Sequence, residues 1–532
     1  MKTLAASAPP TAARVHMNPA LAGDQNPVWA ILVPALLTFA LYAFTCSPYV
    51  LNEDVAEFQA LAAGHGIAHA GYPAYLLLLE GFYRLPLLTA PWRANLTSAL
   101  AAAIAVAFFA ATAYRYTGSR IAAGTTACAL ALSYSLWHDG TRADSYAFTL
   151  AMSAGAFHSF LRYRESRNVD PLAICGVLTG LSLTGHLSAL ALAFVIALTF
   201  LTDLAVGRAP FHHGLVLLVA VAVGLVPLML IPLRDVPDNP MNYIAYTFDQ
   251  HATRHIAWSP ALGTRIKRAV LLLSGAQYLQ GGWFHPFQDA VARVRHVALN
   301  LALNDLPGLG LLLALAGVVA AFVRRTTEDF MLLAWLMGLT ALFLYAAFPL
   351  TAVSFFLPGL WIIALFLARG LALVRARAWP VALVLAVVMI ATPWVRLRLN
   401  AAPGPLAKTS VANVWAAWPA EWNPFVPDRS WEEFGRGALA ALPARAHVFG
   451  CWNEITTLLA VHSALHVRSD VTVHMVCDDP GRVRDVIAEA RRGGSKTFTV
   501  VPPKRLGAER SWVRAGSWPR GGLWRYAAPA KR

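Results

Sequence analysis

Between Asn52 and Tyr75 the chain gathers groups that can move protons and hold anions. Glu53, Asp54 and Glu57 come first, then His65 and His69, and the stretch closes on Gly71-Tyr72-Pro73-Ala74-Tyr75. Asp54 and Glu57 are three residues apart, so on a helix they share a face. A carboxylate is a natural general base, and a second one beside it shapes its pocket. Three more clusters have similar potential. Trp137-His138-Asp139-Gly140-Thr141-Arg142-Ala143-Asp144-Ser145-Tyr146 packs acids, a histidine and an arginine into one turn. His186 stands alone after Gly180-Leu181. Arg234 ends Ile231-Pro232-Leu233-Arg234 and precedes Asp235, Asn239 and Pro240. Each also has a plain reading: a polar loop tip, a packing histidine, an arginine anchored at head groups. What raises the chemical reading is whether the chain brings them to one side.

The elements that must do so are membrane helices. Of 532 residues 57% are hydrophobic and 13% charged, with mean hydropathy +0.52. That composition calls for many apolar runs of about 20 residues, as in a polytopic membrane protein. The net charge of +15 belongs at cytoplasmic helix ends and lipid head groups, so no nucleic-acid partner is expected. Residues 1–27 read as a cytoplasmic tail, and 28–46 as the first span, retained rather than cleaved as a signal peptide. Residues 73–85 carry Glu80 and Arg84 and are too short to span. Further runs near 94–114, 120–137, 143–161, 171–186, 187–203, 214–233, 306–323, 328–348, 352–373 and 379–396 bring the expectation to about eleven spans.

Loop charges orient the bundle. With the N-terminus inside, alternate loops hold Arg115 and Arg120; Arg162, Arg164 and Arg167; Arg208; Arg324 and Arg325; and Arg369, Arg375 and Arg377. These are the cytoplasmic loops by the positive-inside bias. The opposite face then receives a first outer loop 47–93, the short turn His138–Arg142, the His186 turn, a long loop 234–305, the turn near Pro349 and everything after about Arg396. Trp258, Trp283, Phe284 and Phe287 in the long loop read as an interfacial aromatic belt. All four clusters fall on the outer face.

Beyond residue 400 the pattern changes to that of a small α/β domain, 401–532, behind a Pro- and Trp-rich linker 401–427. Helices are expected at 430–442, opened by Ser430, and at 455–466 and 482–492. Strands are expected at 446–450, 471–476 and 497–501. Cys46, Cys128, Cys175, Cys451 and Cys477 form no CxxC pair, which leaves zinc and redox motifs unsupported. Cys451 and Cys477 are able to pair if their domain is extracytoplasmic.

An outer-face membrane enzyme with these groups suits one reaction. Outside the cytoplasm, sugar transfer draws on polyprenyl-phosphate donors. A carboxylate takes the proton of the attacking hydroxyl, and arginine or histidine stabilises the departing lipid phosphate. The tail of the donor needs an apolar groove.

At this point the motifs resemble those of membrane proteins related to protein O-mannosyltransferases, in the GT-C glycosyltransferase superfamily. The family's Asp-x-x-Glu-Phe is Asp54-Val55-Ala56-Glu57-Phe58. The His…Gly-Tyr-Pro motif is His69-Ala70-Gly71-Tyr72-Pro73, and Trp-Arg-x-Asn is Trp92-Arg93-Ala94-Asn95. Trp137 with Asp144-Ser145-Tyr146, Gly180-Leu181 with His186, and Pro232-Leu233-Arg234 with Asn239-Pro240 complete the series. One residue rather than two separates His69 from Gly71, and Asp144 stands where a glutamate is usual.

The resemblance implies an all-α GT-C bundle, 28–400, with the small extracytoplasmic domain behind it. It implies inverting transfer of a hexose, with mannose as the first expectation, from a polyprenyl-phosphate sugar to a hydroxyl, with protein Ser/Thr the expected acceptor. Asp54 is the expected base, with Glu57 beside it as the second catalytic acid. His69, Tyr72, Arg142, Asp144, His186 and Arg234 are expected to bind substrate. No metal ligand set and no certain cofactor is assigned, and divalent-metal dependence is left open. The expected location is a bacterial-type inner membrane with the active site outside. Transfer to a lipid or glycan acceptor, and transport of a lipid-linked sugar, are the rival readings. No repeat is visible, and transporters usually carry inverted repeats with midplane polar groups, which disfavours the second.

Overall fold

The computed structural model describes residues 28–237, 239, 241–245, 256–275, 287–345, 353–374, 378–399, 423–476, 480–506 and 511–527. The expected tail 1–27, most of the linker, Pro240, Trp283, Phe284 and Cys477 lie outside these, as does the side chain of Phe287.

The chain is mostly helical. After α1 (Val28–Thr45) come α2 (Glu53–Gly64), α3 (Pro73–Tyr83) and α4 (Ala90–Thr117). Then follow α5 (Arg120–Ala131), α6 (Tyr134–Gly140), α7 (Ser145–Ser166), α8 (Val169–Gly185), α9 (Ala189–Ala205), α10 (Phe211–Leu225), α11 (Leu230–Arg234), α12 (Leu262–Leu273), α13 (Phe287–Asn300), α14 (Leu309–Arg324), α15 (Thr327–Tyr345), α16 (Leu357–Leu373) and α17 (Ala378–Leu399). Among the described residues, 5 helices are long and apolar enough to cross a membrane, or 6 if the pair Arg293–Asp305 and Leu309–Arg324, bent by 118°, is one span. α8 and α9 are apolar but shorter.

Lipid offers no hydrophobic drive between helices, so close packing through small residues takes over. α8 and α10 meet this way: a Cβ on Gly180 would lie 2.4 Å from the Val221 carbonyl oxygen, and one on Gly224 2.2 Å from that of Val177. α14 and α16 touch as closely at Gly317 and Gly370. Between the helices Phe109, Phe157, Trp335 and Trp361 form a fully buried aromatic core. Phe194, Leu198, Leu218 and Val219 face outward, as lipid-facing residues should.

The run expected at 120–137 is not one straight helix. It breaks between α5 and α6, where Ser133 turns its hydroxyl onto the Leu130 carbonyl, and Asp305 takes both the amide and the hydroxyl of Ser135 at 2.8 and 2.9 Å. The division of 171–203 falls at Gly185 and His186, as its length required.

Behind the bundle lies a five-stranded sheet of β1 (His447–Gly450), β2 (Thr472–Met475), β3 (Thr497–Thr499), β4 (Trp512–Trp518) and β5 (Gly521–Tyr526), ordered β2-β1-β3-β5-β4. β1 runs parallel to β2 and β3; β5 runs antiparallel to β3 and β4. The final hairpin was not among the expected strands. The helix Ser430–Ala440 is not opened by Ser430: Asp428 accepts the Ser430 amide at 2.9 Å and its hydroxyl as well. Cys451 is disulfide-bonded, whereas Cys46, Cys128 and Cys175 are free. The Trp258 indole donates to the Asp235 carbonyl at 3.0 Å.

Candidate active site

The site is built from α2 and the loop that follows it. α2 starts abruptly, with Glu53 at φ 54, and its acids sit in the first turn, where the helix dipole favours negative charge. Glu57 turns inward and only 2% of its side chain is exposed; 41% of Asp54 remains exposed. Past the helix, the chain doubles back through a tight turn closed by the Gly71 amide on the Ala68 carbonyl at 3.0 Å. Gly71 has φ +96, and a Cβ there would meet Ile231 at 2.9 Å, so the turn requires glycine.

That turn delivers His69 to the acids. Glu57 accepts the His69 amide at 2.9 Å through Oε1, and its Oε2 lies 2.6 Å from His69 Nδ1. The other ring nitrogen, Nε2, is 3.2 Å from the Tyr72 hydroxyl and 3.8 Å from Asp54 Oδ2. Burial pushes the Glu57 carboxyl above its usual range, its bonds to His69 pull it back, and the Asp54 charge adds to the rise. Glu57 thus orients His69, and His69 faces Asp54.

The second oxygen of Asp54 has a partner that no motif announced. The indole of Trp452, 398 positions away, donates to Asp54 Oδ1 at 2.8 Å. Trp452 opens a helix, Trp452–Ala464, that packs along α2. Asn453 donates to Glu53, and the Thr457 hydroxyl reaches the Leu51 carbonyl at 3.1 Å. Tyr243 closes the aromatic wall, 6.1 Å from the His69 ring and 5.5 Å from Trp452. It is placed by backbone pairing of Ile67 with Met241 and Tyr243.

His186 joins from the end of α8. Its ring stacks on Tyr72 at 6.3 Å, lies 4.8 Å from Tyr146 and 5.1 Å from Phe355, and bonds Ser188. Asp144 caps α7 by accepting the Ser145 amide at 2.6 Å, and it lies within electrostatic reach of Asp54, Asp139 and His69. Arg142 donates to His138 Nε2 at 2.6 Å, and His138 Nδ1 bonds Asp139 at 2.8 Å. The Arg142 Nε is buried with no hydrogen-bond partner among the described residues.

Asn95 ties the two halves together. Fully buried, it donates to the Ser47 carbonyl at 2.9 Å and accepts from the Ala143 amide at 2.8 Å and from Gln59 at 3.3 Å. The loop after α1 and the Arg142–Asp144 turn therefore share one pivot.

Arg234 is placed differently. Both its terminal nitrogens bond Glu80, at 2.6 and 3.0 Å, and it reaches the Gly66 carbonyl at 3.5 Å. His65 bonds the same Glu80 at 3.1 Å. Arg234 clamps the loop rather than facing the acids with an open charge.

Residues 54–206 match the family model of the protein O-mannosyl-transferase TMEM260 N-terminal domain. No curated protein is detectably similar in sequence. Two solved structures share the fold: ArnT from Cupriavidus metallidurans bound to undecaprenyl phosphate, at TM-score 0.53 and 13% identity, and the same enzyme in its apo state, at 0.53 and 12%. Each match covers 94% of this chain and 99% of that one. The resemblance first carried by Asp54-Val55-Ala56-Glu57-Phe58 is borne out: residues 54–206 are similar to the N-terminal domain of a protein O-mannosyl-transferase, and the chain is a membrane protein that shares the fold of the ArnT structures.

Proposed function

We propose that the protein transfers a hexose from a polyprenyl-phosphate sugar to an acceptor hydroxyl at the outer face of the membrane. The observation that carries this is the state of Asp54. One oxygen is held by Trp452, and the other lies 3.8 Å from His69 Nε2, beyond hydrogen-bond length, on a half-open surface. That oxygen is positioned to take a proton from an incoming hydroxyl. As the hydroxyl oxygen bonds the anomeric carbon, the bond from that carbon to the phosphate oxygen breaks, and configuration inverts. The lipid phosphate leaves with the bonding pair. Arg142, whose Nε is buried without a hydrogen-bond partner among the described residues, is our candidate to receive that charge. Tyr72 lies beside both histidines, its ring 5.1 Å from that of His69 and 6.3 Å from that of His186.

A groove of about 910 Å³ supports the lipid half of this reading. It runs between α9 and α15 past Leu187, Phe194, Leu198, Met331, Met337 and Leu342, and it begins next to His186. We assign the polyprenyl tail to it. The related ArnT structure holds undecaprenyl phosphate, which is the same chemical class. Mannose as the sugar and a protein hydroxyl as the acceptor follow the name of the matching family. The orientation, N-terminus inside and residues 401–532 outside in an inner membrane, rests on the arginine-rich alternate loops. In this arrangement the C-terminal domain is part of the active site, because it supplies Trp452.

The test is Asp54→Asn in purified protein, assayed with polyprenyl-phosphate mannose and a Ser/Thr peptide. Loss of about 10²–10⁴-fold in turnover is expected for a general base. Full activity in the variant would overturn the assignment. A panel of acceptors in the same assay separates peptide from lipid or glycan hydroxyls.

A further inference from the structure

The C-terminal sheet carries a second constellation, away from Asp54. β1 and β2 are parallel, with Phe449 opposite His474, so His447, Phe449 and His474 share one face. The helix Pro480–Arg492 covers that face, packing Val486 and Ile487 against Phe449 and Val476. Toward its end, Glu489 hangs beside the two histidines. His447 Nδ1 and His474 Nε2 are 2.9 Å apart, with nearly parallel rings at 16°. One ligand atom from each of His447, His474 and Glu489 lies within 4.8 Å of the others.

We propose that these three residues bind a divalent cation, zinc by preference. Two imidazoles and one carboxylate form a borderline-soft ligand set that suits zinc better than calcium or magnesium, which take oxygen ligands. Zinc–nitrogen bonds of about 2.0–2.1 Å place tetrahedral ligand nitrogens ~3.3 Å apart, so the histidine pair must open by only a few tenths of an ångström. Glu489, exposed on a helix, swings in on its own torsions. A fourth position stays open to water. Both histidines sit on paired strands, which preorganises them more precisely than a loop would. A hydrogen bond shared between the two rings, with Glu489 merely solvated, is the competing account.

The position suggests a structural role. β1 runs from His447 directly into Cys451 and Trp452, the residue that holds Asp54. A cation that pins β1 to β2 and to the covering helix fixes the strand that delivers Trp452. The proposal is independent of the sugar-transfer reading.

The experiment uses the full-length protein in detergent, stripped with chelator and then titrated with zinc. Elemental analysis is expected to give one zinc per chain, and zinc is expected to raise the midpoint of thermal unfolding. His474→Ala should abolish stoichiometric binding. Glu489→Gln, on an exposed helical position that tolerates the change, should weaken zinc by at least about tenfold. His462→Ala, outside the cluster, should change neither. Absence of saturable zinc binding overturns the proposal, as does binding that survives in His447→Gln/His474→Ala. An unaltered unfolding midpoint with zinc bound overturns the structural role.

Discussion

Two acidic centres in this molecule begin from the same ingredients and end differently. Asp235 and Arg268 are both fully buried and satisfy each other: Arg268 Nε donates to Asp235 Oδ2 at 2.8 Å and a terminal nitrogen reaches Oδ1 at 3.3 Å. Asn242 completes the carboxylate at 2.9 Å, and Arg268 spends another donor on the Ile256 carbonyl. Asp54 shares its surroundings with a second acid, two aromatic donors and a histidine, yet among the described residues no arginine pairs with it. A closed pair holds a loop in place. An acid steadied by neutral donors and left half open keeps a lone pair for chemistry. Sequence spacing does not tell the two apart: Asp235 directly follows Arg234, yet Arg234 bonds Glu80 and the cation on Asp235 is Arg268.

The contrast can be broken first at the closed pair. Arg268→Leu leaves a buried carboxylate without its cation, and a loss of about 3–5 kcal/mol in unfolding free energy is expected, read by thermal or denaturant unfolding. Asp54→Asn should leave the same unfolding curve unmoved while activity collapses. If both variants unfold alike, Asp54 is structural as well.

Arg142→Ala comes next. Removing one positioned donor to a departing anion is expected to cost about 10²–10³-fold in kcat. Steady-state kinetics at saturating donor distinguish this from weaker binding, which would move KM instead. Arg234→Lys makes the opposite case: it keeps the charge but breaks the paired bonds to Glu80, so the loss should appear in stability before turnover.

Trp452→Phe keeps an aromatic side chain but removes the indole N–H that bonds Asp54. One such bond to a charged group is worth roughly 1.5–3 kcal/mol, so a drop of about ten- to a hundredfold in kcat/KM is expected. An unchanged rate would detach the C-terminal domain from the active site.

The smallest effect concerns pH. Because burial raises the Glu57 carboxyl above its ordinary range, its protonated form is favoured in the folded protein. The associated stability is fully present below the ordinary carboxylate range and is lost as pH rises through the raised value. Glu57→Gln should flatten that part of the stability–pH profile while still accepting the His69 amide. A profile identical to the parent's would show that His69 offsets the burial completely.

Much of the site was legible because its signals are local. A three-residue spacing puts Asp54 and Glu57 on one helix face. Glycine and proline around Tyr72 announce a turn. Asp144 before Ser145 marks a helix start, and the structure uses it as a cap. What escaped was anything needing distant partners. Asn95 was only a motif letter, yet it joins the first loop to the Arg142–Asp144 turn. Trp452 opens an ordinary-looking helix, and nothing near it names Asp54 as its acceptor. The β4–β5 hairpin lacks a local signal: Trp512-Val513-Arg514-Ala515-Gly516-Ser517-Trp518 does not alternate, and Pro519-Arg520 joins it to β5. Glu80 seemed no more than a charge that spoiled a membrane span; it captures Arg234 and His65.

By itself, then, the sequence determined that the chain lives in a membrane, because apolar run length and arginine bias act through solvent, residue by residue. It also determined that an acidic helix follows the first span, because helical period and turn chemistry are short-range. Only the tertiary structure decided which cation is spent on a carboxylate, and which aromatic from the far end of the chain bonds Asp54. Those choices depend on packing contacts hundreds of residues apart, where the gain from burying and pairing groups has to exceed the entropy of bringing them together.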